Sequence, residues 1–284
     1  MTVAIVGVGL IGGSLALAMK EKGIAEKVVG VEASTSHQQK ALELGLVDEI
    51  KSLDEAIEES DLIILSTPVN AVAQLLPYIL DRVERQVVID VGSTKDGILE
   101  AVKSHPKRRR FVATHPMWGT EFSGPEAAVK NAFINKATVI CDKAESDRDA
   151  VDIVENIYRK LGMHLVYMNG REHDVHVAYV SHISHITSFA LANTVLEKER
   201  EEDTIFELAS AGFESTVRLA KSNPLTWASI FMQNRENVLD VLNEHISQLR
   251  KFKACLEKEN YEYLEELMIN ANKIKKVLDR EERP

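Results

Sequence analysis

Short apolar runs rich in β-branched residues recur along the first 170 positions, with amphipathic stretches between most of them. Near-continuous apolar runs are typical of strands buried on both faces of a parallel sheet, and helical spacing of apolar positions is typical of the helices that cover it. The alternation predicts an α/β domain. The predicted strands are residues 3–6, 28–31, 62–65, 87–91, 111–114, 138–141 and 164–168, and the clearest helices are 14–21, 70–81 and 96–104.

The pattern changes after Asn169-Gly170, where strand-like runs end and helical periodicity takes over. Asn223-Pro224 separates two of the helical stretches, because proline suits a first helical turn. The densely charged segment 197–203 predicts a solvated turn. We expect a sheet domain at 1–168 and an all-helical domain at 169–284, with helices at 173–200, 204–221, 225–256 and 261–278.

Composition narrows the classes of partner. The formal charge of −10 argues against nucleic acid or an anionic membrane as the main partner, and no apolar run approaches the length of a membrane span. No basic leader precedes the first strand, and Cys141 and Cys255 form no disulfide framework, so we expect a cytoplasmic protein. Long apolar stripes in the helical half favour a homodimer built from that half.

A glycine-rich loop follows the first predicted strand and opens a helix. In this context Gly7 permits a tight turn, Gly9 lets the backbone approach a pyrophosphate, and Gly12 lets helix and strand pack closely. Leu10 and Ile11 begin the helix, whose free N–H groups and positive dipole end favour phosphates. The alternative is a glycine turn that packs without binding a ligand.

Glu32 ends the second predicted strand, 20 residues after Gly12. Its position argues against a glycine turn that binds no ligand. A carboxylate there can accept hydrogen bonds from both ribose hydroxyls and would repel a 2′-phosphate. The cofactor predicted from these residues is therefore NAD rather than NADP.

Polar loops also follow the third and fourth predicted strands, and ligands in such sheets bind at the carboxyl ends of strands. Thr67 and Pro68 are expected to face the cofactor, although a simple strand–helix turn would explain Thr67 as well. Ser93 and Lys95 place a hydroxyl and an ammonium group on one short loop at the cleft, and we expect Lys95 to contact the substrate.

His115 follows the fifth predicted strand, at the same edge of the sheet. An imidazole beside a cofactor has the titration range of a general base, with an apparent pKa of about 6–7. A structural histidine in a loop is the alternative. Four more histidines lie between positions 173 and 185, but their spacing fits no standard zinc pattern, so no metal is predicted and a polar substrate pocket is favoured. Ser181 and His185 share one helix face.

Arg218 lies on an otherwise apolar helix face in the second half. A planar guanidinium there suits a bidentate carboxylate. A structural salt bridge with Glu214, one helical turn earlier, is the alternative.

The chain resembles the prephenate/arogenate dehydrogenase family of tyrosine biosynthesis. The resemblance rests on five motifs taken together and in this order: GVGLIGGS, DVGSTK, HPMWGTE, SHISH and GF…R…NPLTW. The resemblance implies a Rossmann NAD-binding domain followed by an all-helical substrate and dimerisation domain, and oxidative decarboxylation of a cyclohexadienol. It implies that His115 deprotonates the ring hydroxyl, that Ser93 orients it, and that Arg218 holds a substrate carboxylate. Thr120, Ser181 and His185 would line the substrate pocket.

Two departures from the family pattern are visible. Glu214-Ser215 replaces the Arg-Asp pair common before the arginine, and Trp118 replaces a small residue. Arogenate has an ammonium group where prephenate has a keto group, so an enzyme for arogenate needs a carboxylate to bind it. Only Glu214 and Glu121 offer a carboxylate near Arg218, and prephenate is therefore favoured as the substrate. The alternatives are arogenate, a β-hydroxyacid dehydrogenase with a catalytic lysine on the helical domain, and a dinucleotide-sensing regulator without turnover.

Overall fold

A computed structural model describes residues 1–200 and 204–279. Its N-terminal half contains an eight-stranded sheet with the order β3-β2-β1-β4-β5-β6-β7-β8. The strands are β1 (Thr2–Val6), β2 (Lys27–Val31), β3 (Glu49–Ile50), β4 (Leu62–Leu65), β5 (Val87–Asp90), β6 (Phe111–Pro116), β7 (Ala137–Cys141) and β8 (His164–Met168). The helices of this half are α1 (Leu10–Glu21), α2 (Thr35–Glu43), α3 (Leu53–Glu59), α4 (Val69–Arg82), α5 (Asp96–Val102) and α6 (Arg148–Lys160).

The seven predicted strands are confirmed to within two residues at each end, whereas the two-residue β3 was not predicted. The predicted parallel sheet is confirmed for β1 to β6, and the order departs from it at one edge. β7 pairs antiparallel to β6, and β8 runs parallel to β7, so the last two strands point the other way. Apolar runs report burial on both faces but carry no information about strand direction.

The core lies on both faces of the sheet, which explains the apolar runs. Along β1, Val3 and Ile5 belong to one buried cluster, which α1 and α6 cover. Ala4 and Val6 belong to a second cluster on the opposite face, which α3, α4 and α5 cover. Because the strands are packed between these two buried clusters, the loops at the strand ends are anchored to a close-packed core.

The second half is helical. Asn169 caps α7 by accepting from the Glu172 N–H, and Asn223 caps α10, which has Pro224 in its first turn as predicted. The elements are α7 (Gly170–Val177), a π-helical turn (Ala178–His182), α8 (Ile183–Glu199), 3₁₀ turns (Ile205–Leu208 and Arg218–Lys221), α9 (Ala211–Val217), α10 (Pro224–Gln233), α11 (Arg235–Glu257), α12 (Tyr261–Ala271) and α13 (Ile274–Leu278).

Three of the predicted helices and the predicted turn need correction. The stretch 204–221 is a short helix between two 3₁₀ turns, 225–256 is interrupted at Asn234, and 261–278 is interrupted at Asn272 and Lys273. The charged segment begins inside α8, which continues to Glu199, and residues 201–203 lie outside the described residues. Charge alone does not end a helix, because exposed Glu and Lys are good helix formers.

By internal contacts the chain forms two compact units, Met1–Arg235 and Glu236–Pro284. The boundary at 168/169 stays a prediction. None of the helices in the described ranges is both long and apolar enough to cross a membrane.

Candidate active site

A cavity of about 1430 Å³ runs along the carboxyl ends of β1, β2, β4, β5 and β6 and reaches the helices from the π-helical turn to α10. It lies within the unit Met1–Arg235. Thirteen of the fifteen predicted site residues line it, namely Gly7, Gly9, Leu10, Ile11, Glu32, Thr67, Pro68, Ser93, His115, Thr120, Ser181, His185 and Arg218. Gly12 and Lys95 do not.

At one end of the cavity the glycine loop has the geometry that a bound phosphate needs. Gly7 has φ +93°, and a Cβ there would lie 2.7 Å from the carbonyl oxygen of Ser66. A Cβ on Gly9 would meet nothing within 4 Å, so the loop is open toward a ligand. Gly9, the N-cap residue of α1, has no side chain that could cap the helix, which leaves its first N–H groups for an anion. Gly12 packs beneath, where a Cβ would overlap the carbonyl oxygen of Gly7.

Glu32 is held at the same end by two backbone donors. Its Oε2 accepts from the Val8 N–H at 3.0 Å, and its Oε1 accepts from the Ser34 N–H, also at 3.0 Å. A carboxylate has about four lone-pair positions, so acceptor capacity remains for hydroxyl groups. The side chain is therefore a fixed acceptor at the end of β2.

The loops after β4 and β5 supply further polar groups. The Thr67 hydroxyl is buried and finds no hydrogen-bond partner within the part of the chain that the structure describes. Pro68 occupies the N-cap position of α4 and leaves that helix without a side-chain cap. Since buried polar atoms in proteins are almost always paired, the Thr67 hydroxyl is a place for a ligand group.

The prediction that Lys95 contacts the substrate needs correction. Lys95 is completely buried, and its ammonium pairs with the equally buried carboxylate of Asp90. Asp90 also accepts from the Gly92 N–H at 2.9 Å and from the Thr114 N–H at 3.2 Å. The pair therefore holds the loop that presents Ser93, because the buried charges are satisfied only in this geometry.

His115 lies at the end of β6 and joins a buried network that the sequence did not predict. Its Nδ1 lies 2.8 Å from Nε2 of His173, whose Nδ1 lies 2.7 Å from Oδ1 of Asp174. Asp174 in turn accepts from the backbone N–H groups of Lys95 and Asp96. Side chains 58 positions apart in sequence thus form one chain of hydrogen bonds behind the cavity.

Burial decides the proton states at this end. Burial, followed by the neighbouring His173 and Lys95, holds the pKa of His115 well below its usual value of 6.5. Burial also lowers the pKa of His173, against the opposing effect of Asp174, and lowers the pKa of His182 to about 4. These imidazoles are neutral at pH 7, as a general base must be.

The π-helical turn brings Ser181 and His182 to the cavity together with His185 on the next turn. Such turns inside helices are common at functional sites because they re-aim side chains. Trp227 stacks on the His185 ring with centroids 3.3 Å apart and planes 21° apart. Not all four histidines line the cavity as predicted, since His173 is buried behind His115 and His176 is exposed.

Arg218 faces the cavity, and its Nη1 lies 3.0 Å from Oε2 of Glu121. The alternative partner proposed from the sequence is wrong, because Glu214 pairs with Lys221 instead. Thr120 lines the cavity beside Glu121, on the loop after β6. The arrangement places a half-exposed cation and a mostly buried carboxylate side by side at this end of the cavity.

Trp118 also lines the cavity and packs edge-on against Phe133, with ring centroids 5.5 Å apart. Within the described ranges no three His, Cys, Asp or Glu side chains come together as metal ligands. The glycine loop thus shares one cavity with imidazoles, hydroxyl groups and the guanidinium of Arg218.

Two family models match the chain. Residues 15–167 match "prephenate dehydrogenase, nucleotide-binding domain" and residues 169–270 match "prephenate dehydrogenase, dimerization domain". The chain belongs to the prephenate dehydrogenase family. The family, the fold class and the class of enzyme expected from the sequence, an oxidoreductase, are thereby confirmed.

Individual relatives agree with this assignment. A prephenate dehydrogenase of Bacillus subtilis (strain 168) is 32% identical over 93% of this chain and 72% of its own length. A crystal structure of prephenate dehydrogenase from A. aeolicus, in complex with hydroxyphenyl propionate and NAD+, has a TM-score of 0.86 at 29% identity and covers 98% of this chain and 97% of that one. A Synechocystis arogenate dehydrogenase structure has a TM-score of 0.75 at 25% identity, covering 98% and 100%.

Sequence reasoning gave no role at this site to Asp174 or Trp227, named Glu121 only as a carboxylate near Arg218, and treated His173 only as one of four pocket histidines. Asp174 follows His173 directly, and a His-Asp dipeptide close to a helix start was the one available signal for the network. No local signal marked Trp227, because its stacking on His185 joins positions that are far apart along the chain.

Proposed function

We propose that this protein catalyses the NAD-dependent oxidative decarboxylation of prephenate to 4-hydroxyphenylpyruvate and CO2. The observation that carries the proposal is the continuity of one cavity, from the glycine loop and Glu32 past His115 to Arg218. A nucleotide at one end and a small dianion at the other can therefore meet beside a neutral imidazole.

The glycine loop, the uncapped start of α1 and Glu32 would hold NAD, and the unpaired Thr67 hydroxyl lies against the same space. When bound, NAD supplies the hydride acceptor. Glu32 disfavours NADP, because its carboxylate would repel a 2′-phosphate. The backbone donors on Glu32 keep it at the end of β2, so that repulsion cannot be relieved by a simple side-chain rotation.

His115 is the general base of the proposed reaction. Its Nδ1 is engaged with the buried His173, so Nε2 is the nitrogen that it can present to a substrate hydroxyl. The ring oxygen releases its proton to Nε2 as the hydride leaves the same carbon. Loss of the ring carboxylate as CO2 then forms the aromatic ring, and the phenolate oxygen recovers the proton, so no proton is consumed overall.

The remaining residues bind and orient. Arg218 would hold a substrate carboxylate. That carboxylate would have to compete with Glu121 for the Arg218 guanidinium. Ser93 lies on the loop fixed by the Asp90–Lys95 pair and would orient the reacting hydroxyl. Thr120, Ser181 and His185 would line the ring. Because decarboxylation and aromatisation provide the driving force, alignment is the main contribution that the protein must make.

The test is an assay of NADH and CO2 formation with prephenate and with arogenate, each with NAD and NADP. We expect the highest kcat/KM for prephenate with NAD, and 4-hydroxyphenylpyruvate as the product. A higher kcat/KM for arogenate would reassign the substrate. Absence of turnover with both substrates, despite NAD binding, would support a dinucleotide sensor.

The assembly that we propose is a homodimer through the helical domain 169–284. In the unit Glu236–Pro284 many large apolar side chains are strongly exposed, among them Leu256, Tyr261, Ile269, Ile274 and Leu278. Exposed apolar patches of this kind mark interaction surfaces, and self-association would cover them. A cytoplasmic location is part of the proposal. Sedimentation that finds a fully active monomer at micromolar concentration would overturn the dimer.

A further inference from the structure

Behind His115 lies a chain of hydrogen bonds of which the proposed reaction uses only the first contact, between His115 and His173. It runs from Nδ1 of His115 to Nε2 of His173 at 2.8 Å, and from Nδ1 of His173 to Oδ1 of Asp174 at 2.7 Å. The side chains of His173 and Asp174 are only 1% and 3% exposed, so water has no access to replace either contact.

The chemistry of the three groups fixes the direction of each hydrogen bond. An ionised carboxylate only accepts, so Nδ1 of His173 must carry a hydrogen and donate it to Asp174. Nε2 of a neutral His173 is then a lone-pair acceptor. It can be satisfied only if Nδ1 of His115 carries the hydrogen between them. Nε2 of His115 is consequently left without a hydrogen, as a base requires.

Asp174 is itself fixed in place. Its Oδ1 accepts from the Lys95 N–H at 2.8 Å and its Oδ2 accepts from the Asp96 N–H at 2.9 Å. Asn234 donates to the backbone oxygen of Asp174 at 2.6 Å. Both carboxylate oxygens of Asp174 are held by backbone N–H groups, so the carboxylate cannot turn to follow His173. The His173 ring therefore has one orientation in which both of its nitrogens have a hydrogen-bond partner.

We propose that His173 and Asp174 are positioning residues that set the tautomer of His115, holding hydrogen on Nδ1 and leaving Nε2 as the acceptor toward the cavity. The assignment of tautomer stands on the hydrogen bonds alone. Its value for catalysis rests on the proposed function, in which Nε2 takes the proton of a substrate hydroxyl.

The charged and titratable groups that face these two rings are Asp90, Lys95, Asp174 and His182, in addition to the rings themselves. Asp90 and Lys95 neutralise each other in a buried pair. Burial lowers the pKa of His173, which keeps it neutral at pH 7. Protonation of His173 would reverse the contact, since Nε2–H would donate to His115 and move the hydrogen of His115 to Nε2.

Two substitutions at position 173 separate the positioning role from simple packing. His173→Phe keeps a ring of similar size but has no acceptor for His115 and no donor for Asp174. In His173→Gln, the amide nitrogen can donate to Asp174 and the amide oxygen can accept from Nδ1 of His115. The second variant is therefore the conservative control, which should restore what the first removes.

The direct readout is the nitrogen-15 NMR spectrum of the histidine-labelled protein without ligands, with His115 assigned from the signal that His115→Asn removes. We expect the Nδ1–H tautomer in the wild type and in His173→Gln. In His173→Phe, we expect the Nε2–H form or a mixture. A wild-type His115 in the Nε2–H form would overturn the proposal, and this result needs no folded Phe variant.

Kinetics with prephenate and NAD provide the second readout. His173→Phe should lower kcat roughly 10- to 100-fold, which is less than loss of the base itself, with KM for NAD unchanged. His173→Gln should recover most of that loss. Equal kcat in all three proteins would overturn the positioning role. If the wild type turns over no prephenate, the proposed function fails while the NMR result still decides the tautomer.

Discussion

The two ends of the cavity use different parts of the chain. At the nucleotide end, the contacts are made by backbone N–H groups, glycines and one carboxylate, Glu32, held by two backbone donors. At the histidine end, they are made by side chains whose protons are placed by burial and by each other. Binding at the first end depends on backbone shape and one fixed carboxylate, whereas chemistry at the second end depends on where the imidazole protons lie.

Substitution of His115 should have the largest effect and should be confined to the histidine end of the cavity. His115→Asn keeps a hydrogen-bonding side chain but cannot take the proton, so we expect kcat with prephenate to fall roughly 10²–10⁴-fold. The Kd for NAD, measured by fluorescence titration, should stay the same because the glycine loop and Glu32 are untouched. A loss confined to KM would make His115 a binding residue only.

Arg218 should affect substrate binding alone. Arg218→Ala removes the cation for a substrate carboxylate, and we expect KM for prephenate to rise about 10- to 100-fold, equivalent to about 1.5–3 kcal/mol for hydrogen bonds to a charged group. Lys221→Ala is the matched control, because Lys221 pairs with Glu214 outside the cavity. An unchanged KM in the Arg218 variant would leave Arg218 as the partner of Glu121 and nothing more.

At the nucleotide end, Glu32→Ser should weaken NAD binding and bring the kcat/KM values for NAD and NADP closer together, by about 10-fold. The ribose acceptor and the repulsion of a 2′-phosphate disappear together in this variant. Glu43→Ser, on the exposed side of α2, removes a carboxylate without touching the cavity and serves as control. If the ratio of NAD to NADP use stays constant, Glu32 does not contact the ribose.

Stability should depend on pH through the histidine end. Burial lowers the folded-state pKa values of His115, His173, His182 and His185 below 6.5. Below pH 6.5 the unfolded chain therefore binds protons that the folded chain does not. The free energy of unfolding consequently decreases as the pH is lowered. Urea unfolding at pH 7.5 and 5.5 should show a loss of about 1 kcal/mol for each histidine that stays neutral. Equal stability at both pH values would contradict the lowered pKa values.

Much of the nucleotide end could be predicted from the sequence, because its parts are local. Gly7, Gly9 and Gly12 lie within six positions, and Glu32 ends the next strand. Each has a steric or electrostatic reason that follows from spacing. The same holds for the caps Asn169 and Asn223, which act within three residues of their own positions.

The histidine end could be predicted only in part, because its contacts join distant segments. Sequence alone placed His115 and Arg218 at a cleft, but it could not pair His115 with His173 or choose between Glu214 and Glu121 as the partner of Arg218. Lys95 was misplaced for the same reason, since its burial against Asp90 depends on the packing of the loop between β5 and α5. The reversed direction of β7 and β8 likewise leaves no trace in their apolar pattern.

The central claim is that a neutral His115 takes a proton as NAD-linked oxidation of prephenate begins. Its most direct test is the pH dependence of kcat/KM for prephenate, in the wild type and in His115→Asn. Because burial holds the pKa of His115 well below 6.5, we expect wild-type activity to persist at pH 6.5 and to be lost only as pH falls further, below the range of about 6–7 expected from the sequence. The Asn variant should show a low, flat profile over that range. A wild-type limb that persists unchanged in the Asn variant would contradict the account.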